Sequence, residues 1–308
     1  MSSRSCAAAS GATSTFFLLF DEGPGVGLGH RRRVESLGAE LTDRGHDCVF
    51  VALGATSIGT IAADAVVIDS YRTRADDAAF APARVVCALD DLGRDLDVDL
   101  VVDPSPGATG AVHRRARRVL AGAAYALVPS PPEGTVLASV DVPVTRVLVT
   151  TGAADAAGVG ARIAAALTAA GLDAEGPEVE IRLVVGPWGA TDVPRRVTPV
   201  RAPEGLAAEL AAASLVVTAG GVTLLEACLL GRPIIALALA DNQRQAVYGL
   251  VHEGAVTVAT PETVVDAARA LICDRTRRVT LSVMARSAVD GKGAARIADV
   301  LEQLVASR

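Results

Sequence analysis

Leu215-Val216-Val217-Thr218-Ala219-Gly220-Gly221-Val222-Thr223-Leu224-Leu225-Glu226-Ala227-Cys228-Leu229-Leu230-Gly231 is the stretch whose reading decides the fold. It opens with an apolar run that does not alternate, the pattern of a strand covered on both faces in a parallel sheet. Paired glycines follow, and without Cβ atoms they let the backbone approach another group closely. A helix is expected over Thr223–Leu230, stopped by Gly231 with Pro233 beyond it. Such a turn presents free N–H groups and the positive end of a helix dipole, for which an anion such as a diphosphate is the natural guest. Thr223 can add a hydroxyl donor. Glu226 lies one helical turn further on the same side, where a carboxylate can accept from two ribose hydroxyls. Read alone, the stretch also fits a tight strand–helix turn with an exposed glutamate.

The same strand–turn–helix rhythm runs through the chain. Strands are expected at Phe16–Phe20, Cys48–Leu53, Val66–Ile68, Val85–Leu89 and Leu100–Val102, and a helix over His30–Arg44 that ends at Gly45. After the Pro-rich stretch Val128–Gly134 the rhythm restarts. Strands are expected at Val147–Thr150, Val179–Val185, Leu215–Val217 and Ile234–Leu239, and helices at Ala161–Ala170, Glu204–Ala213 and Ala294–Ala306. This predicts an α/β chain of two doubly wound domains facing one another across a cleft. The expected boundaries are a disordered N-terminus over 1–15, a first domain over 16–128, a linker over 129–143 and a second domain over 144–308.

Composition narrows the function. The 308 residues suffice for two ordinary domains, and 51% apolar with 21% charged residues is a globular balance. A net charge of −6 without a long basic run argues against nucleic acid as a partner. Nearly all basic residues are Arg, with Lys292 the lone Lys, which reads as coding bias. Five scattered cysteines without a CxxC, and histidines at 30, 46, 113 and 252 without ligand spacing, predict neither disulfides nor a zinc site. Phe16–Phe20 is too short for a signal peptide or membrane span, so no stable membrane insertion and a cytoplasmic location are expected.

A second glycine-rich turn carries the candidate chemistry. Gly27-Leu28-Gly29-His30-Arg31-Arg32-Arg33 lies between a strand and a helix, but Arg32 stands where GxGxxG needs glycine, so it is not the dinucleotide fingerprint. His30 at the helix start suits a general base near neutral pH; a helix cap or a phosphate contact suits it equally. Asp241-Asn242-Gln243, after a strand, can read sugar hydroxyls or an amide, or simply form a polar loop. Asp69, Asp90, Asp91 and Asp103 end strands, and any of them could orient His30 or bind a sugar. The pair Asp90-Asp91 reads as the cap of a following helix rather than as a metal site.

Together these residues resemble the UDP-sugar hydrolases of pseudaminic acid biosynthesis, relatives of the spore-coat polysaccharide proteins and of the peptidoglycan N-acetylglucosaminyltransferase. The matching pieces are Gly27-x-Gly29-His30-x-x-Arg33, Ile68-Asp69-Ser70-Tyr71, Asp90-Asp91, Tyr125-Ala126-Leu127, Leu148–Asp155, Val216–Glu226, Gly231-x-Pro233, Asn242-Gln243 and Asp290–Arg296. They occur in the family's order over nearly the whole chain. The resemblance implies the GT-B architecture, two Rossmann-like domains. It also implies UDP held at Gly220, Gly221, Val222 and Thr223 with Glu226 on the ribose, and His30 aiming a water at the anomeric carbon. Gly27, Gly29, Arg33, Asp69, Tyr71, Gly152, Asn242 and Gln243 would complete the substrate site. Neither metal nor cofactor is implied. The chain departs from the pattern in Val222 for a serine, Ala153 in the Gly152 turn, Val128-Pro129 after Leu127, and Arg31 and Arg32 beside His30.

The expected activity is therefore hydrolysis of a UDP-(acetamido)deoxy-sugar to free sugar and UDP with inversion. The alternative is a glycosyltransferase of the same fold acting on a small or natural-product acceptor. The absence of a basic, aromatic amphipathic segment, with aromatics at 3%, favours a small acceptor or water. A third possibility, a binding protein without catalysis, has no use for His30. A monomer or homodimer is expected.

Overall fold

The structure is a computed structural model that describes residues 13–23, 25–54, 60–153, 155, 157–172, 178–189, 192–202 and 205–308. The expected disorder over 1–15 falls, up to residue 12, outside the described residues, and Thr15 already opens the first strand.

Each half is built on a six-stranded, wholly parallel sheet. The first holds β1 (Thr15–Asp21), β2 (Asp47–Leu53), β3 (Ala65–Asp69), β4 (Val85–Leu89), β5 (Leu100–Asp103) and β6 (Arg118–Ala121), in the order β2-β1-β3-β4-β5-β6. The second holds β7 (Arg146–Thr150), β8 (Glu180–Val184), β9 (Thr198–Val200), β10 (Leu215–Ala219), β11 (Ile234–Leu237) and β12 (Thr257–Ala259), in the order β12-β11-β10-β7-β8-β9. Strand order reverses between β1 and β3 in the first sheet and between β7 and β10 in the second. At such switch points the loops leave in opposite directions and open a crevice beyond the carboxyl ends of the strands. Both glycine-rich turns lie there.

The continuous apolar runs are buried as their pattern predicts: β3, β10 and β11 are buried at every position. β2 is the exception. It is an edge strand, and Phe50 is 45% exposed.

The halves differ in how their sheets are covered. Helices α2 (Val159–Ala169), α3 (Ala207–Ala212), α4 (Val222–Leu229), α5 (Arg244–His252), α6 (Val264–Cys273) and α7 (Arg275–Ala288) belong to the second half. Their apolar faces and those of its strands form two clusters, one containing Leu224 and Val247, the other Ile163 and Leu271. In the first half α1 (Gly29–Asp43) covers one face through Val34, Leu37 and Leu41. The other face is closed by Phe80 of a one-turn 3-10 helix (Ala78–Phe80) and by loop residues such as Leu96 and Val98, without an α-helix among the described residues. The regular strand–helix alternation expected there is therefore replaced, after β3, by connections without an α-helix.

The last helix, α8 (Gly293–Ala306), corrects the expected domain boundary. Its buried face, Ile297, Ala298, Val300, Leu301 and Val305, joins Phe16, Leu18, Leu37 and Leu41 in the core of the first sheet. The chain thus crosses back, and 144–308 is not one structural unit. A Cβ on Gly293 would lie 2.2 Å from the Ala126 carbonyl oxygen, so only glycine lets α8 start against that backbone. The expected linker, 129–143, contains neither helix nor strand. Two buried arginines hold it: Arg232 Nη1 donates to the Ala138 carbonyl (2.8 Å), and Arg278 Nη2 donates to that of Val142 (2.7 Å). Burial, with the nearby Arg286 charge, lowers the Arg232 pKa to about 10.

Candidate functional site

α1 begins directly after the Gly27-Leu28-Gly29 turn, with no side chain capping its first N–H groups and no acid in its first turn. Gly27 sits at φ +84°, a conformation that glycine adopts without strain. His30 points inward from this first turn and is 3% exposed. Its Nδ1 lies 2.5 Å from Asp69 Oδ1 at the end of β3. Both Asp69 oxygens already accept from Arg33, Oδ2 from Nε (2.8 Å) and Oδ1 from Nη2 (2.7 Å). Asp69 thus accepts from Arg33 and holds the imidazole on its Nδ1 side, where Arg33 Nη2 also lies 3.0 Å away, while Nε2 makes no side-chain hydrogen bond among the described residues. That is the arrangement of an oriented general base.

The dyad rests on a buried polar network. Arg33 Nη1 donates to Asp91 Oδ2 (2.6 Å), so one guanidinium spans two carboxylates. Burial would lower the Arg33 pKa, but the charges of Asp69 and Asp91 hold it well above the usual arginine value. Burial works to raise the Asp91 carboxyl, but Arg33 outweighs it and leaves it below the ordinary aspartate range. Tyr71 Oη donates to Asp91 Oδ2 (3.2 Å), and the Tyr71 ring meets His30 edge-on with centroids 4.3 Å apart. The same hydroxyl accepts from Asn242 Nδ2 of the second half (2.9 Å). Burial, then the Asp91 charge, pushes the Tyr71 phenol up, so it stays a neutral donor.

Facing α1, α4 starts at Val222 immediately after Gly220-Gly221, again without a side-chain cap or an acid in the first turn. The two helix starts nearly touch: a Cβ on Gly29 would lie 3.8 Å from Val222 Cγ2. Gly220 has no room for a side chain, since a Cβ there would fall 2.8 Å from Gln243 Cβ and Val247 Cγ2. The turn Thr151-Gly152 leads to α2, but that helix is closed to anions. Asp155 accepts from the N–H groups of Val159 (2.9 Å) and Gly160 (2.8 Å). At the switch point of the second sheet, α4 is therefore the helix start with bare N–H groups.

A cavity of about 850 Å³ opens between the two turns, within the usual size range of ligand sites. His30, Gly27, Gly29, Arg33, Tyr71, Gly152, Gly220, Gly221, Val222, Thr223, Asn242 and Gln243 all line it. Two expected substrate contacts do not. Asp69 is fully buried behind His30 and pairs with its Nδ1. Glu226 lies off the lining, 8% exposed, with Arg32 Nη1 3.3 Å from its Oε1 and with Oε2 unpartnered. Burial raises its carboxyl pKa, partly offset by the Arg32 charge.

The reading of Asp90-Asp91 as a helix cap is corrected, because no helix follows β4 before β5. Asp90 instead closes a turn by accepting from the Arg94 backbone N–H (2.7 Å) and guanidinium. Sequence reasoning missed Arg32, Arg201 and the Pro104-Ser105-Pro106 loop as lining residues. The Pro-Ser-Pro run at the carboxyl end of β5 was a usable signal. Arg201 offered none. That loop meets α5 backbone to backbone, since a Cβ on Gly249 would lie 2.3 Å from the Pro106 carbonyl oxygen. Gln245 Nε2 also reaches Asp103 Oδ2 (3.4 Å) across the halves.

Among the described residues no group of His, Cys, Asp or Glu is arranged to hold a metal ion, and no helix is long and apolar enough to cross a membrane.

No protein-family profile matches the sequence, and no curated protein is significantly similar to it. Solved structures are similar in fold. MurG of Acinetobacter baumannii superposes with TM-score 0.59 at 14% identity, over 95% of this chain and 100% of that one. The calicheamicin glycosyltransferase CalG4 gives 0.61 at 14%, over 96% and 99%. MnaA of S. aureus, solved with UDP, gives 0.58 at 13%, over 92% and 95%. With its two parallel sheets facing across a cleft, the chain has the GT-B fold.

Proposed function

We propose that this chain is an inverting nucleotide-sugar enzyme that transfers a sugar from a nucleoside diphosphate to the hydroxyl of a small acceptor. One observation carries the reading. An oriented histidine–aspartate dyad at the start of α1 faces the uncapped start of α4 across the cavity, so a base and an anion site confront each other. The fold relatives named as glycosyltransferases support transfer, and the relative solved with UDP supports a nucleoside diphosphate as the ligand.

The diphosphate takes the bare N–H groups of Gly221, Val222 and Thr223 and the Thr223 hydroxyl, which stabilise the charge that grows on it as it leaves. His30 Nε2 removes the acceptor proton while the acceptor oxygen attacks the anomeric carbon from the opposite face. The bond from that carbon to the phosphate oxygen breaks, and the electron pair departs with the nucleoside diphosphate. Asp69 steadies the imidazolium that forms, and Arg33 keeps Asp69 in place.

Water is the second candidate acceptor. The ordered set of motifs resembling the UDP-sugar hydrolases favours it, as does the depth of His30, which a small nucleophile reaches most easily. Incubation with a panel of UDP-sugars, with and without small hydroxylated acceptors, separates the two. Release of UDP that requires an acceptor supports transfer. Rapid release in buffer alone, with inverted free sugar, replaces transfer by hydrolysis. No binding of any nucleotide sugar would sink both.

A further inference from the structure

The consecutive arginines Arg31, Arg32 and Arg33 have three different fates. Successive helical residues point about 100° apart, so they cannot share a partner. Arg31 turns outward to Glu22 and Glu35, and Arg33 turns inward to Asp69 and Asp91. Arg32 crosses the cleft. Its Nη1 lies 3.3 Å from Glu226 Oε1 on α4, and it also lines the cavity. Its guanidinium also packs beside Gly205 of the second half, where a Cβ would lie 3.5 Å from Arg32 Nη1, an ordinary contact distance.

This contact is poorly satisfied. It is long for a charge-assisted hydrogen bond. The other Glu226 oxygen is buried without a partner, a costly state for a carboxylate. The α4 start supplies N–H groups and the Thr223 hydroxyl, but its first turn, Val222-Thr223-Leu224-Leu225, contains no cation. Of the other arginines lining the cavity, Arg33 is bound to two carboxylates, and Arg201 follows β9 at the far edge of its sheet, away from the switch point.

We propose that Arg32 is the diphosphate-binding residue of the first half, parked on Glu226 until a nucleotide arrives. As Arg32 leaves, Glu226 opens to the cavity, and the ribose hydroxyls donate to its two oxygens. The released guanidinium then swings to the diphosphate above the α4 start, where planar bidentate contact suits it. The exchange replaces a direct contact across the cleft by one made through the ligand. It rests on the nucleotide-sugar reading given above.

The test is calorimetric titration of UDP and of uridine into the wild-type chain and into Arg32→Met, Glu226→Gln and Arg31→Met, with thermal melts confirming that each variant is folded. Arg32→Met should weaken UDP about tenfold to a hundredfold and leave uridine nearly unchanged. Glu226→Gln should weaken both ligands by similar factors, and Arg31→Met neither. Unchanged UDP affinity in Arg32→Met overturns the proposal, as does equal weakening of UDP and uridine, which would mean that Arg32 acts only through Glu226. Should the wild-type chain bind neither UDP nor a UDP-sugar, the nucleotide-sugar reading itself fails. A wild-type chain that binds UDP with an indifferent Arg32→Met removes the exchange alone.

Discussion

The two glycine turns that face each other in the cleft have the same backbone plan and opposite chemistry. Gly27-Leu28-Gly29 and Gly220-Gly221 each follow a strand at the switch point of a parallel sheet, and each opens a helix without a side-chain cap. The first turn of α1 contains His30, Arg31 and Arg32, and Arg33 behind them is tied to carboxylates of neighbouring strands. The first turn of α4 carries no charge, and Leu224 and Leu225 are buried there. A helix start is electrostatically suited to an anion. Whether it becomes a binding surface or a reactive centre depends on what the adjacent strands place beside it. Asp69 at the end of β3 makes the difference, since it fixes the orientation of the imidazole through Nδ1. The equivalent neighbour of α4, the Gly152 turn after β7, spends its carboxylate, Asp155, on capping α2.

The comparison breaks most sharply at His30. His30→Ala should lower turnover about a hundredfold to ten-thousandfold while UDP affinity stays near wild type, as read by steady-state rates alongside titration. If UDP affinity collapsed with the rate, the α1 turn would be a binding element like its counterpart. On the other side, Gly220→Ala forces a methyl group against Gln243 and Val247. It should cost about 1–3 kcal/mol of stability and weaken UDP binding by shifting the α4 start. A denaturant titration paired with UDP titration checks both, and an unaffected variant would mean that the turn tolerates a side chain where the geometry allows none.

The smallest effect concerns the support of the dyad. Asp91 has a lower carboxyl pKa folded than unfolded, so on the acid side the unfolded chain binds the extra proton. Its stabilising contribution is complete above the ordinary aspartate value of 3.8 and is lost as pH falls below that, through the folded value. Asp91→Asn should therefore flatten the fall in stability below that pH, measured as the urea midpoint at a series of acid pH values. An unchanged slope would mean that the Arg33 bridge contributes nothing there.

Much of this was legible beforehand because it is local. Val85–Leu89 is the strand expected, and the helix after Gly29 begins within one residue of where the sequence puts it. Unbroken apolar runs specify buried strands, and paired glycines specify where backbone comes close. The short edge strands β6, β9 and β12 and helices α5 to α7 were not singled out. Arg118–Ala121 is half-exposed at a sheet edge and lacks an apolar run, and the helices follow loops without a strong stop signal. For Asp69, residue type suggested a ligand contact, while packing put it behind His30; Glu226 stands off the cavity lining, paired with Arg32, which lines it.

By itself the sequence determined the two parallel sheets, the glycine turns at their carboxyl ends, and a histidine at a helix start, because period, turn chemistry and helix ends are encoded within a few neighbouring residues. Only the tertiary structure decided which sheet α8 covers, since an amphipathic face fits either one and long-range complementarity makes the choice. It also decided the partners of the three arginines: Arg33 meets Asp69 36 positions away, and Arg32 meets Glu226 194 positions away. Over such separations a charge pair follows from how the strands are ordered and the halves docked, and no local pattern records either.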